Sequence, residues 1–277
     1  MKQELRFKTR YFSFLLLALI LAGYIISMLL ATETGNVGVI PVHGTIGEGL
    51  SGVAPEQVIE LIDKANENPS IAAIVFDINS RGGSPVASQR IVDKIKRINK
   101  TTIAIIRDIG ASSGYWIASA CNHVIASKYS ITGSIGVYGS YIGYYGLMKD
   151  YNVTYERFVS GELKDMGSPF KQPTQVEKQL LQSKIKLMQG YFLEDVKQNR
   201  NLSEKELSQI STGVILLGKE AKALGLVDEV GGDTELEAYL NSLNISPSFT
   251  SYKLRHSLIK SLSSMLTRNP IAQIQLT

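Results

Sequence analysis

The stretch TTIAIIRDIGASSGYWIAS, Thr101 to Ser119, decides the fold. Its first half, TTIAIIRD, is an apolar run rich in β-branched residues, the pattern of a strand buried on both faces. Small residues from Gly110 to Gly114 then turn the chain, and YWIAS begins like a helix. A doubly buried strand that passes through a glycine turn into a helix is the repeating unit of a layered α/β domain. The turn also sets two serines, Ser112 and Ser113, side by side. A serine does chemistry only when a base removes its proton, so the rest of the chain must supply one.

The same grammar extends in both directions. Upstream, VGVIPVHG (37–44) reads as a strand ending in a turn, and PEQVIELIDKAN (55–66) as a helix opened by proline. IAAIVFDIN (71–79) is another continuous apolar strand; it runs into SRGGSP and then a helix over SQRIVDKIKRIN (88–99). Downstream, HVIAS and SIGVYG are strand candidates. Residues 176–200 form a long amphipathic helix, and GKEAKALGLVDEVGG (218–232) reads as a short helix, a capping glycine and a final strand.

Composition bounds the function. With 277 residues, 44% apolar and 19% charged, the chain supports a substantial core. The net charge of +4 comes largely from the two ends, so it carries no nucleic-acid footprint, and no nucleic-acid partner is expected. Cys121 is the single cysteine, which excludes an intramolecular disulfide, and its apolar, helix-like surroundings assign it a buried structural role. His43, His123 and His256 have no partners at metal-ligand spacing, so neither a metal nor a cofactor is expected.

The ends are distinctive. Residues 11–32 carry no charge and suffice to cross a bilayer core as a helix. That run exceeds the apolar region of a cleaved signal peptide, about 7–15 residues, and Leu29-Leu30-Ala31 is a poor cleavage site. Lys2, Arg6, Lys8 and Arg10 precede it against Glu4 alone, so the positive-inside rule keeps the N-terminus cytoplasmic. The expected organisation is a cytoplasmic N-terminus (1–10), a transmembrane anchor (11–32), an extracytoplasmic domain (33–245) and a basic amphipathic tail (246–277). This defines a single-pass protein of the cell membrane. The tail reads either as a terminal helix packed on the domain or a neighbouring subunit, or as a basic helix lying on an anionic membrane.

In α/β sheets reactive groups gather beyond the C-terminal ends of strands. Two glycine-rich turns fall there: Asn79-Ser80-Arg81-Gly82-Gly83-Ser84 and Gly110-Ala111-Ser112-Ser113-Gly114. An N–H from each would make an oxyanion hole. The order INSRGGS, GASSGYWIAS, TGSIGVYG, SGELKDMGSPF and GKEAKALGLVDEVGG, spanning roughly residues 37–232, resembles the signal peptide peptidase A family of serine peptidases. The resemblance implies a Clp protease/crotonase-like fold. It also implies Ser112 as nucleophile, Lys164 as general base, Ser134 as the hydroxyl that orients the lysine, and the N–H groups of Gly83 and Ser113 as oxyanion donors, with Gly82 as the substitute. Two positions depart from the family pattern: A-S-S-G stands for A-S-G-G, and S-R-G-G for S-P-G-G.

A Ser-Lys dyad works only with a neutral lysine within reach of the hydroxyl. Burial beneath Met166 and Phe170 would favour the neutral amine, whereas Asp165 would oppose it unless its carboxylate points away. The resemblance implies a serine endopeptidase acting on peptide substrates, namely remnant signal peptides or other short apolar segments at the membrane. Because nucleophile and base fall within one single-length domain, a homo-oligomer is expected to enclose the site, with Lys164 serving its own Ser112 or a neighbour's. The competing readings are a peptidase that trims one membrane-bound partner of stomatin type, a crotonase-type acyl-CoA enzyme, and a catalytically silent scaffold.

Overall fold

The computed structural model describes residues 16–23, 35–47 and 52–254. Two compact units divide the chain, 1–35 and 36–277. In the first, residues 16–23 are helical and exposed; the remainder of the expected 11–32 span lies outside the described residues. Among the described residues no helix is long and apolar enough to cross a membrane. The expected tail likewise lies largely outside them, from residue 255 onward.

The second unit is an α/β domain built on a sheet of order β10-β1-β4-β5-β6-β9, parallel throughout. Its central strands are β1 (Val37–His43), β4 (Ala73–Ser80), β5 (Thr101–Ala111) and β6 (His123–Ala126), with β9 (Glu229–Val230) and β10 (Phe249–Ser251) at the edges. Side-chain alternation explains why the apolar runs are unbroken. Ile40, Val42, Ile74, Phe76, Ile78, Ala104 and Ile106 face one core, while Val37, Ala73, Val75, Ile103 and Ile105 face a second. Each buried Ile or Val side chain contributes about 1.5–3 kcal/mol, so a strand apolar on both faces is held from both sides.

The larger core is roofed by helices. α1 (Pro55–Glu67) buries Val58, Leu61, Ile62 and Ala65, the spacing of one helical face. α2 (Pro85–Ile95) starts three residues earlier than the sequence reading: Ser84 caps it by accepting from the Ala87 N–H, and Pro85 occupies its first turn. α3 (Ser113–Ser119) is buried along its whole length, and α5 (Gln175–Arg200) packs on it through Phe192 and Val196. The other core is closed by Leu236 and Leu240 of α8 (Asp233–Ser242).

Three strands differ from expectation. SIGVYG is not a strand; the ladder sits just before it, in β7 (Ile131–Gly133), because Gly133 and Ser134 both adopt positive φ and end the pairing. β7 lies along the C-terminal end of β5 and pairs antiparallel with β8 (Ile215–Leu217). β10 joins the sheet beside β1, so the sheet continues past residue 245. Short segments α4 (Tyr145–Asp150), α6 (Glu204–Ile210) and α7 (Gly218–Ala223), and the ribbon β2 (Thr45–Ile46) with β3 (Gly52–Val53), complete the domain.

Candidate active site

β5 carries the chain to the site. Its pairing with β4 shifts register between Ile78 and Ser80, so Ile78 pairs with Ile106 but Ser80 with Gly110. Ser112 follows with φ 52° and ψ −126°, a conformation that a side-chain-bearing residue adopts only under constraint. The constraint is visible: the Ser112 N–H donates to the Gly133 carbonyl at 2.9 Å, and its own carbonyl accepts from the Trp116 N–H at 3.0 Å. This is the strand-to-helix elbow geometry that presents a serine hydroxyl at the top of a sheet, at the positive end of a helix.

The SRGG turn lies directly against it. Gly82 has φ +109°, and a Cβ built there would come within 2.9 Å of the Ser112 Cβ and 3.1 Å of the Ser113 nitrogen. Gly83 is held by Ile46, whose N–H donates to the Gly82 carbonyl and whose carbonyl accepts from the Ser84 N–H. A side chain at Gly83 would collide with the Ile46 backbone. Glycine is required at both positions. The Gly82 N–H is occupied by the Ser80 hydroxyl at 3.1 Å. The N–H groups of Gly83 and Ser113 are engaged by nothing among the described residues, which makes them the pair available to an oxyanion.

The two serines part company here. Ser112 is half-buried, whereas Ser113 is 4% exposed and its hydroxyl donates to the Gly83 carbonyl at 3.3 Å. Ser134 stands beside Ser112, because Gly133 accepts from Ser112 while Ser134 itself, at φ 51°, donates its N–H to the Val214 carbonyl. Ser112, Ser113, Ser134, Gly82 and Gly83 all line one groove of about 1160 Å³. Its apolar wall includes Trp116, Ile185, Met188 and Phe192, and its charged lining residues are Arg81, Glu194 and Asp195. Trp116 stacks on Phe192 with ring centroids 4.8 Å apart and donates its indole N–H to Asp195 at 3.1 Å.

Lys164 is placed differently. It lies on an exposed turn, its N–H donating to the Gly161 carbonyl, and it does not line the groove. Burial beneath Met166 and Phe170 is not found in the single chain: both are half-buried while Lys164 faces solvent. The neighbouring carboxylate is engaged elsewhere. Asp165 is drawn inward by Arg157 and by Lys171, which also binds Glu177. The Arg157 and Lys171 hydrogen bonds hold the Asp165 carboxyl well below the usual carboxylate range. Asp165 is thus paired with Arg157 and Lys171, and Lys164 has no carboxylate partner among the described residues.

The two described histidines stay out of the groove, and His256 lies outside the described residues. His43 pairs with Asp77 at 2.9 Å on the exposed side of β1, and His123 stacks on Tyr239 with centroids 3.7 Å apart. Cys121 is buried, and that burial pushes its thiol well above the ordinary range. Among the described residues no group of side chains could hold a metal ion. Sequence reasoning missed Ser80, Trp116, Phe192 and Asp195. Only Ser80 had a local signal, its place in the Asn79–Ser84 turn two residues ahead of Gly82.

A buried parallel sheet, a constrained serine at a strand-to-helix elbow, and glycine turns with unengaged N–H groups define the architecture of an acyl-transfer site. The comparisons with known proteins agree on the family. The model of peptidase family S49 matches residues 94–244, and this chain belongs to that family. A candidate protease of Methanocaldococcus jannaschii is 33% identical over 216 residues, 74% of this chain and 70% of that protein. Protease 4 of Haemophilus influenzae is 31% identical over 208 residues, covering 72% of this chain and 33% of the relative. The chloroplast serine protease SPPA of Arabidopsis thaliana is 28% identical over 194 residues, 69% and 29% respectively. The chain therefore spans about a third of the length of the latter two.

Proposed function

We propose that this chain is a membrane-anchored serine endopeptidase in which Ser112 is the nucleophile and Lys164 the general base. The observation that carries the reading is the strained Ser112, in one groove with Gly83 and Ser113, whose N–H groups are engaged by nothing among the described residues. Neutral Lys164 takes the Ser112 Oγ proton as the oxygen attacks the scissile carbonyl. The resulting oxyanion is held by the two N–H groups. Collapse breaks the C–N bond, and the leaving amine takes the proton from the lysine. The lysine amine, neutral again, then takes a proton from water, whose oxygen attacks the acyl-enzyme; collapse breaks the ester C–O bond, and the lysine returns that proton to the Ser112 Oγ. Ser134 supports the lysine amine from the groove wall.

The substrates are remnant signal peptides or other short apolar segments beside the bilayer. The apolar wall of Trp116, Ile185, Met188 and Phe192 suits such peptides, and the uncharged run 11–32 would hold the domain on the extracytoplasmic side of the membrane where they reside. The exposed, off-groove position of Lys164 favours a homo-oligomer in which one copy's Lys164 serves its neighbour's Ser112. So do the exposed Tyr138, Ile142, Tyr151 and Phe158 on the surrounding segment. Hydrolysis of a fluorogenic apolar peptide, lost in Ser112→Ala, tests the function. Undiminished hydrolysis by Ser112→Ala would reject it.

A further inference from the structure

One buried hydroxyl outside the reacting set ties the site together. Ser80, the last residue of β4, is 1% exposed. Its Oγ donates to the Gly44 carbonyl at 2.6 Å and accepts from the Gly82 N–H at 3.1 Å. Gly44 in turn donates its N–H to the Asn79 carbonyl, so the end of β1 and the end of β4 are locked to each other. The main chain of Ser80 also seats the nucleophile's helix: a Cβ at Gly114 would lie 2.7 Å from the Ser80 carbonyl oxygen. Ser80 is thus where the end of β1, the SRGG turn and the start of α3 meet.

The consequence is chemical. Gly82 and Gly83 are successive glycines. The Ile46 N–H holds the carbonyl of the Gly82–Gly83 peptide and so aims the Gly83 N–H, whereas the Arg81–Gly82 peptide has no bond to Ile46 and its N–H could swing toward the oxyanion. The Ser80 hydroxyl consumes that of Gly82 and fixes the Arg81–Gly82 peptide plane, next to the plane, held by Ile46, that carries the Gly83 N–H. From this geometry we infer that Ser80 is a positioning residue that selects the Gly83 N–H as oxyanion donor by withholding that of Gly82, and that steadies the turn on which Gly83 sits. This rests on the reading of Ser112 as nucleophile. Ser80 touches no reacting atom; it acts through the turn. Loss of one well-aimed donor lowers kcat by about 10²–10³, and a turn that wanders part of the time loses a fraction of that.

The test uses the full-length enzyme in membranes or detergent. Ser80→Ala removes the hydroxyl. Ser80→Cys fills nearly the same volume with a weak donor and acceptor, and so keeps the buried site packed if alanine destabilises it. Rates are expressed per active site, titrated with a serine-directed phosphonate, so that partial unfolding does not count as lost kcat. Two inhibitors of one sequence are compared: a peptide aldehyde, which forms a hemiacetal oxyanion, and the corresponding peptide amide, which binds without one. Both variants are expected to lose about tenfold to a hundredfold in kcat with KM within twofold. Aldehyde affinity should fall in step with kcat while amide affinity holds. Wild-type kcat per site in Ser80→Cys overturns the inference, as does equal weakening of both inhibitors. Ser112→Ala is run alongside: full activity there overturns the nucleophile reading itself, whereas a dead Ser112→Ala with an unimpaired Ser80→Cys overturns only the role of Ser80.

Discussion

At residue scale the turn GASSG resolves into two unlike serines. Ser112 is forced to positive φ and left half-exposed over the groove, while Ser113 spends its hydroxyl on the Gly83 carbonyl. Ser112→Ala should abolish hydrolysis. Ser113→Ala should retain much of it, because its backbone N–H survives; steady-state assays of the two variants separate the roles. Gly82→Ala forces a Cβ to within 2.9 Å of the Ser112 Cβ at a φ suited to glycine. It is expected to lower kcat at least tenfold and stability by about 1–3 kcal/mol, read by chemical denaturation. Lys164→Ala and Lys164→Arg should both be inactive, since arginine stays charged, and wild-type activity should rise with pH along a one-proton limb. Full activity in Lys164→Ala would remove the lysine from the mechanism.

Among the elements, those that decide the fold were legible because their signals are local. The runs 71–79 and 101–108 are apolar on both alternations, and the helix over Val58, Leu61, Ile62 and Ala65 keeps its period. β7, β8 and β10 were not legible, because three-residue strands carry no period and their partners are remote in sequence, as Val37 is from Phe249. The glycine turns announced the site, yet the groove wall did not announce itself: Trp116 meets Phe192 and Asp195 only once α3 and α5 have packed. That contact gives a stability test, since Phe192→Ala should cost about 3–5 kcal/mol in urea unfolding. The segment from Arg157 to Glu177 has an acid signature instead. Asp165 and Glu177 titrate below their unfolded values in the folded chain, so their contribution is full at neutral pH and is lost as pH falls below about 4. Limited proteolysis should then cut 157–177 faster at pH 3.5 than at pH 7. Equal rates would contradict the account.

For the whole molecule, Ser112, the proposed nucleophile, lies in one groove with Gly83 and Ser113 of its own chain, and Lys164, the proposed base, does not line that groove. Mixing inactive Ser112→Ala with inactive Lys164→Ala should restore a readily measured part of the activity if a neighbour's lysine completes each site; mixtures that stay inactive would place both groups in one copy. The chain should also remain with membranes through a carbonate wash, and release of a soluble form starting near residue 32 would overturn the anchor. The central claim is the identity of the nucleophile, and covalent capture tests it most directly. Full-length enzyme treated with an apolar peptidyl phosphonate and mapped by mass spectrometry should carry one adduct, on Ser112, in the wild type and in Ser113→Ala, and none in Ser112→Ala. An adduct on Ser113, or labelling that persists in Ser112→Ala, would contradict it.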